Sequence, residues 1–569
     1  MAGITRRRFL RAAGVGGAAA ALGLPTLPAH AAVSAAGTTL DVAGVPVGTG
    51  GYRRFAAGAG WPLVVRGDVA TPGAGREERR VAVACFVQFT DMHMVDAQSP
   101  ARFEYTHPLV HNSAFRPHET LAQHTATSLV RQVGALRDGP FTGRPIDFVI
   151  TTGDNTDNHE HVELDWFFQV LNGGRVTADT GDLTRYEGVQ DSGSTTFWNP
   201  HSTAQDDYKA RGYPVVPGLL DAARRPFDSP GLHVPWYCTF GNHDDSVLGA
   251  LPDGVPFVNA LYTGGTKIYG FDAAATARIA RAFRDPAYLA DAVAVLTSGT
   301  GVVRGVTPDP RRTPFTTGEF VRAHLDPRNT GPGPRGHGFT DDNADGVDVF
   351  YTFPIAPGVT GISLDTTTTS GLANGSIGLH QYQWLEKVLR RGSSRYYDLF
   401  GRLRTQQATD ELFVLFSHHT SWTMDNTLPD ARRPLDLRLN GQALVDLLTR
   451  YPNVVAWVNG HIHENKIVSH GAGERAFWEV NTASHIDYPQ VARVLELVDN
   501  GDGTLSLFTT LIEGDAPYSA PYDDLSPTGL ASHARELSFN TPYTVPAALG
   551  ELQDRNVELV VAGRSPARA

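Results

Sequence analysis

The strongest constraint in this chain is an ending that repeats. The stretch Ile146 to Asn158 begins as an apolar, β-branched run (Ile146, Phe148, Val149, Ile150) and breaks at Gly153-Asp154 into a polar string. A buried strand closed by a carboxylate delivers that carboxylate to the rim of a sheet, where open α/β sheets collect ligands. VAVACFVQFT leads in the same way into Asp91-Met92-His93, and VPWYCTF into Gly241-Asn242-His243-Asp244. ELFVLFS leads into His418-His419, and NVVAWVN into Gly460-His461-Ile462-His463. Five such endings predict one shared site of oxygen and imidazole donors, with Asp154 at its centre bridging two metal ions.

The intervening chain predicts an α/β protein. Strands are expected at about 81–90, 146–152, 348–355, 360–365, 411–417, 453–459, 475–482 and 491–498. Helices are expected near 119–137, 160–171, 377–391 and 440–450, with Asp499 to Gly503 as a hairpin turn. Hydrophobic periodicity fails at about 172–232 and 246–345, apart from one helix near 273–284. Loops this long inside a compact domain are usually functional walls, so these two insertions are the candidate substrate-selecting surface. Residues 32–80 read as an N-terminal arm, 81–515 as one catalytic domain with the insertions, and 516–569 as a tail packed on it. Asp341 to Gly346 resembles the start of a calcium loop, but Thr352 stands where an acid is required, so a plain turn is expected.

Residues 1–31 stand apart. Thr5-Arg6-Arg7-Arg8-Phe9-Leu10 precedes a short Ala/Gly/Leu stretch ending in Ala29-His30-Ala31, the pattern of a twin-arginine export signal with a cleavage site. Its apolar part is too short and too rich in Gly and Ala for a stable membrane span. The mature protein is therefore expected to be exported and soluble, whether secreted, periplasmic or held at the cell surface. Losing the four arginines of this segment, with no acid lost, takes the formal charge from −12 to −16. So acidic a protein argues against nucleic acid as its partner. Cys85 and Cys238 lie in apolar runs and read as buried thiols in neighbouring strands; spacing alone does not pair them.

In chain order, Asp91-x-His93, Gly153-Asp154-x-x-Asp157, Gly241-Asn242-His243-Asp244, His418 and Gly460-His461-x-His463 resemble the calcineurin-like metallophosphoesterase superfamily over roughly residues 81–500. The resemblance implies a two-sheet β-sandwich flanked by helices, in four α/β/β/α layers. It also implies a dinuclear centre: Asp91, His93 and His463 on one metal, Asn242, His418 and His461 on the other, and Asp154 between them. The pair would be Mn, Fe or Zn. The implied reaction is hydrolysis of a phosphate mono- or diester by a metal-bound hydroxide, with His243 as general acid and Asp244 orienting it. Asp157 is read as a support rather than a ligand. A tyrosine holds that place in the purple acid phosphatase branch, so a coloured iron–tyrosinate centre is not implied. Thr420 replaces the proline of the family's H-x-P pattern, and His418 is favoured over His419. His337 and His485 are weaker candidates for the lining of the site. The alternatives are a pyrophosphate or nucleotide hydrolase of the same fold, and a non-catalytic metal-containing binding protein. The partner in the main reading is a small phosphoester.

Overall fold

Strands whose side chains are buried on both faces build two sheets. The computed structural model describes residues 34–107, 114–247, 254, 256–282, 285–370 and 373–563. The export signal lies outside these residues. The strands of the two sheets, in chain order, begin with β1 (Val64–Arg66), β2 (Val81–Phe89), β3 (Phe148–Thr152) and β4 (Trp236–Thr239). Next come β5 (Tyr351–Ala356), β6 (Val359–Ser363), β7 (Leu412–Phe416), β8 (Val454–Asn459), β9 (Lys466–His470) and β10 (Phe477–Asn481). The last are β11 (Val491–Asp499), β12 (Thr504–Glu513) and β13 (Val557–Ala562).

One sheet has the order β1-β13-β12-β11-β2-β3-β4, the other β5-β6-β7-β8-β10-β9. Within them, β2, β3 and β4 run parallel, and so do β6, β7, β8 and β10. The faces between the sheets meet in one apolar core, where Phe86 of β2 packs edge-on against Phe416 of β7 at 5.7 Å between ring centroids.

Helices close both outer faces. They are α1 (Ala122–Leu136), α2 (His161–Asn172), α3 (Thr317–Leu325), α4 (Leu379–Arg391), α5 (Gly441–Leu448) and α6 (Pro527–Asn540). Leu129, Val130 and Val133 of α1 and Phe167 and Val170 of α2 join the core on the first sheet. Leu385 and Leu389 of α4 and Leu444 and Leu448 of α5 bury Phe413 and Leu415 of β7. Along β7 the period of two is plain, since Val414 and Phe416 turn to the inter-sheet core instead. Each such side chain contributes about 1.5–3 kcal/mol on burial. The result is the α/β/β/α layering that the resemblance implies.

Residues 32–569 form one compact unit, in which the arm and the tail supply strands (β1 and β13) to the same sheet. Two features differ from the sequence reading. The second insertion holds a helix, α3, started by a capping box in which Thr316 and Glu319 bond each other's backbone N–H. Cys85 and Cys238 are free and buried, but β3 lies between their strands. The calcium-like segment is a single 3-10 turn, Asp341–Asn343, closed by Thr340 and Asn343. In the first insertion, Trp198, Tyr208 and Tyr213 pack against Leu530, Ala534 and Leu537 of α6, so the tail holds that wall in place.

Candidate metal centre

The parallel strands β2, β3 and β4 of one sheet and β7 and β8 of the other end at a common rim, and the five polar endings meet there. Asp91, His93, Asp154, His461 and His463 all have positive φ, from 43° to 74°. This left-handed backbone costs a non-glycine residue about 1 kcal/mol or more and collects at functional sites. The turns pass so closely that some positions tolerate no side chain. A Cβ on Gly241 would lie 2.1 Å from the Asp154 backbone nitrogen, and one on Gly460 would lie 1.9 Å from Thr90 Oγ1.

Two groups of donors face each other across Asp154. In the first, His463 Nε2 lies 3.2 Å from Asp91 Oδ1, His93 Nε2 lies 3.3 Å from His463 Nε2, and His93 Nε2 lies 3.7 Å from Asp154 Oδ2. In the second, His418 Nε2 lies 3.2 Å from Asp154 Oδ1, 3.0 Å from Asn242 Oδ1 and 3.2 Å from His461 Nδ1. Acid and imidazole atoms from these groups come close enough together to hold metal ions.

The outer nitrogens fix the tautomers. His93 Nδ1–H donates to Asp157 Oδ1 at 2.8 Å, His463 Nδ1–H to Asp487 Oδ2 at 2.8 Å, and His418 Nδ1–H to the Thr152 carbonyl at 2.9 Å. Outward donation of this kind is how metal-ligating imidazoles are oriented. It leaves lone pairs facing lone pairs inside, an arrangement that only a proton or a cation can relieve.

Electrostatics point the same way. Burial opposes charge on His418 and His463. Asp154 beside the first, and Asp91 with Asp487 beside the second, nevertheless lift them to about 9 and about 10. Burial, with His243 and Arg116 near His93 and with His419 and His418 near His461, drives those two rings well below their usual value. The site thus draws in two positive charges, which is what a pair of cations would bring.

His243 lies beside His93, with ring centroids 4.5 Å apart. Its Nδ1–H donates to the Asp157 carbonyl at 2.9 Å, which leaves Nε2 free. Burial, offset in part by Asp154, pulls the ring down to about 4. Asp244 departs from its expected role of orienting His243. Its carboxylate accepts from the Gly241, Asn155 and Thr156 backbone N–H groups at 2.9–3.2 Å and from the Asn155 and Thr156 side chains. It therefore ties the β3 and β4 endings together, because the tight turn points it back into the loop and away from the imidazole that precedes it. Burial and the Asp154 carboxylate push it up to about 7.

Of the remaining candidates, His419 has its nitrogens on Thr366 Oγ1 and the Ala373 carbonyl, so His418 is the one that meets Asp154. Asp157 stands behind His93. His485 is buried edge-on against Phe89 at 4.6 Å. His337 is away from the centre, stacked on Trp236 with ring centroids 3.3 Å apart.

Sequence reasoning missed three partners. Asp487 holds His463 and also accepts from Arg116 Nε and Nη2 at 3.0 and 3.2 Å. Arg102 pairs with Asp157 and, at 2.8 Å, with Glu119. Asp487 comes well after the end of β10 at Asn481, unlike Asp91 and Asp154, which directly follow their strands, so no strand ending announces it; the arginines carry no spacing signal at all.

No family model matches the chain, and no curated protein does. Among solved structures it is similar to a dimetal phosphatase from Danio rerio, at 12% identity and a TM-score of 0.36, over 76% of this chain and 100% of that one. It is also similar to a purple acid phosphatase from yellow lupin seeds, at 11% identity and a TM-score of 0.29. That match spans 80% of this chain and about half, 53%, of the lupin chain. Likeness at this level assigns no activity, and what the site can do is read from its own side chains.

Proposed function

We propose that the chain is a metal-dependent phosphoesterase acting on a phosphate mono- or diester. One observation carries this reading: donors from five strand ends converge with their lone pairs turned inward, while the N–H groups of His93, His418 and His463 are tied outward. The donor set fits two cations, one among Asp91, His93, His463 and Asp154, the other among Asn242, His418, His461 and Asp154. Carboxylate, imidazole and amide oxygen with no thiolate suit Mn, Fe or Zn in a reactive centre better than a structural zinc cage. When bound, such a pair supplies Lewis-acid charge to phosphoryl oxygens and a water acidified toward neutrality.

The protein's own residues then position and move a proton. Asp154 spaces the two groups. His243, fixed through Nδ1, would take up a second proton at Nε2 once an anionic ester lies beside it and pass that proton to the leaving-group oxygen as the ester bond breaks. Asp244 keeps that turn in register with Asp154. If residues 1–31 direct export, the reaction takes place outside the cytoplasm.

The test is hydrolysis of p-nitrophenyl phosphate and bis-p-nitrophenyl phosphate by the purified protein with added Mn²⁺, with and without a chelator. Metal-dependent turnover of at least one ester is expected, and their ratio ranks monoester against diester. Turnover of neither, with two metals bound, would overturn the reading in favour of a binding protein.

A further inference from the structure

At the end of the second sheet opposite the metal centre, the chain leaves α4, turns through a short hairpin and enters β7. The hairpin pairs Arg395 with Thr405, Tyr396 with Arg404 and Tyr397 with Leu403. Its body is anchored. Tyr396 stacks on Tyr451 at 5.8 Å, Arg390 covers the other ring contact of Tyr396 at 5.0 Å, and Arg450 and Tyr397 exchange backbone and side-chain bonds. The turn is also pinned, because Asp398 accepts from the Phe400 and Arg402 backbone N–H groups. On this fixed mount stand Leu399 and Phe400, 80% and 79% exposed, with Leu403 next to them at 45%.

A rigid turn that presents two adjacent large apolar side chains to water needs a reason, since isolated exposed leucines are ordinary and paired ones on a fixed tip are not. Charge supplies it. Between Lys387 and Arg404 the chain carries six basic residues (Lys387, Arg390, Arg391, Arg395, Arg402, Arg404) and one acid, in a protein whose formal charge is −12; Asp398 holds Arg402 and Arg404, and Glu474 reaches Arg395, so Lys387, Arg390 and Arg391 stand outside these pairs. Lys387, Arg390, Arg391, Arg402 and Arg404 are exposed. The other strongly exposed leucines, Leu435 and Leu437, lie where Asp430 and Asp436 nearly balance Arg432, Arg433 and Arg438.

We propose that this hairpin seats the protein on an anionic lipid bilayer, with Leu399 and Phe400 entering the headgroup boundary and the surrounding arginines and lysine meeting lipid phosphates. No helix among the described residues is long and apolar enough to cross a membrane, and the proposed attachment is peripheral and reversible. The geometry also orients the molecule. The hairpin precedes β7 and His418 follows it, so the metal centre opens away from the lipid and acts on esters in solution. This seating does not depend on the reaction assigned to the centre.

The test uses the full chain with vesicles of phosphatidylcholine alone and of phosphatidylcholine with about 30% phosphatidylglycerol, read by flotation. Binding is expected to the second mixture, to fall about tenfold in the Leu399→Ser/Phe400→Ser double variant, and to weaken in Lys387→Gln/Arg391→Gln and in about 0.5 M NaCl. The melting temperature and ester hydrolysis of the variants should stay at the wild-type level. Phe400→Trp should show quenching by brominated lipid beyond that of the wild type. Equal binding by the double variant, which would assign the contact to another part of the chain, overturns the proposal. So does equal binding to both mixtures, binding to neither, or no added quenching in Phe400→Trp. Self-association that the double variant abolishes would make the occupant a second copy and overturn it as well.

Discussion

Two groups of buried histidines in this molecule differ in what surrounds them, and the surroundings decide what each can do. At the strand rim, His93, His418, His461 and His463 face Asp91 and Asp154. On α3 and beneath it, His324 and His337 lie among Phe168, Phe320, Phe339 and Trp236. Carboxylates draw protons onto two of the first group, lifting His418 to about 9 and His463 to about 10, while burial among aromatic rings, with His337 close by, brings His324 down to about 3. His337 turns both ring nitrogens to carbonyls, those of Trp236 and Asn329, at 3.0 and 2.9 Å. A cluster of histidines becomes a cation site only where uncompensated acids stand inside it. Elsewhere the same residue is a flat, polar-edged core side chain.

The largest effect should come from removing the central acid. Asp154→Ala is expected to lower kcat/KM by at least ~10³-fold, because both donor groups lose the carboxylate between them. Metal content measured on the purified variant should drop from two ions per chain. Full metal content with full activity would mean that the acids are not what separates the two histidine groups. Next comes His243→Ala, expected to cost about 10²–10³-fold in kcat at unchanged metal content, as for loss of a proton donor. Metal loss in this variant would move His243 from the proton-transfer role to that of a ligand.

The contrast between the two groups was partly legible before any coordinates. Runs such as ELFVLFS could be read because a strand buried on both faces must be apolar throughout, and the expected 411–417 is found as Leu412–Phe416. The polar endings were legible for the complementary reason: an acid or imidazole straight after such a run has nowhere to go but the rim. The supports behind them were not. Arg116 and Asp487 lie 371 positions apart, and no local period records a pairing of that span. Asp244 misled because adjacency in sequence suggested contact with His243, whereas successive side chains in a tight turn diverge. Helix α3 did announce itself through Thr316 and Glu319, but its apolar stripe is short and sits in a stretch otherwise without periodicity. His337 looked like His485 in sequence, and only its stacking on Trp236 separates them.

Removal of a wall histidine should leave the chemistry intact. His337→Ala gives up a stacked ring and the hydrogen bond that its one N–H donates to a carbonyl, and is expected to cost about 2 kcal/mol of stability. Urea unfolding measures that loss. The kcat of the folded fraction and the metal content should match the wild type, and a fall in either would join the wall to the site.

The smallest effect is a slope. His324 donates Nδ1–H to the Phe320 carbonyl at 2.8 Å, and among the described residues its Nε2 has no partner. A second proton there would be buried and unpaired. An unfolded histidine titrates near 6.5, while the folded His324 does so near about 3. Between those values the unfolded state holds the extra proton and the folded state does not. Stability from this residue is therefore complete above about pH 6.5 and is lost as the pH falls, by at most about 1.4 kcal/mol per pH unit. His324→Phe removes the titrating group and keeps an aromatic ring in the box, so the fall in unfolding free energy between about pH 6 and 4.5 should be shallower by up to that amount. Urea melts of the chelated wild type and variant across that range read the difference with the metal centre held constant in both. An identical slope would mean that the folded ring already carries its proton among the aromatics, and the wall and the rim would then differ in shape but not in charge.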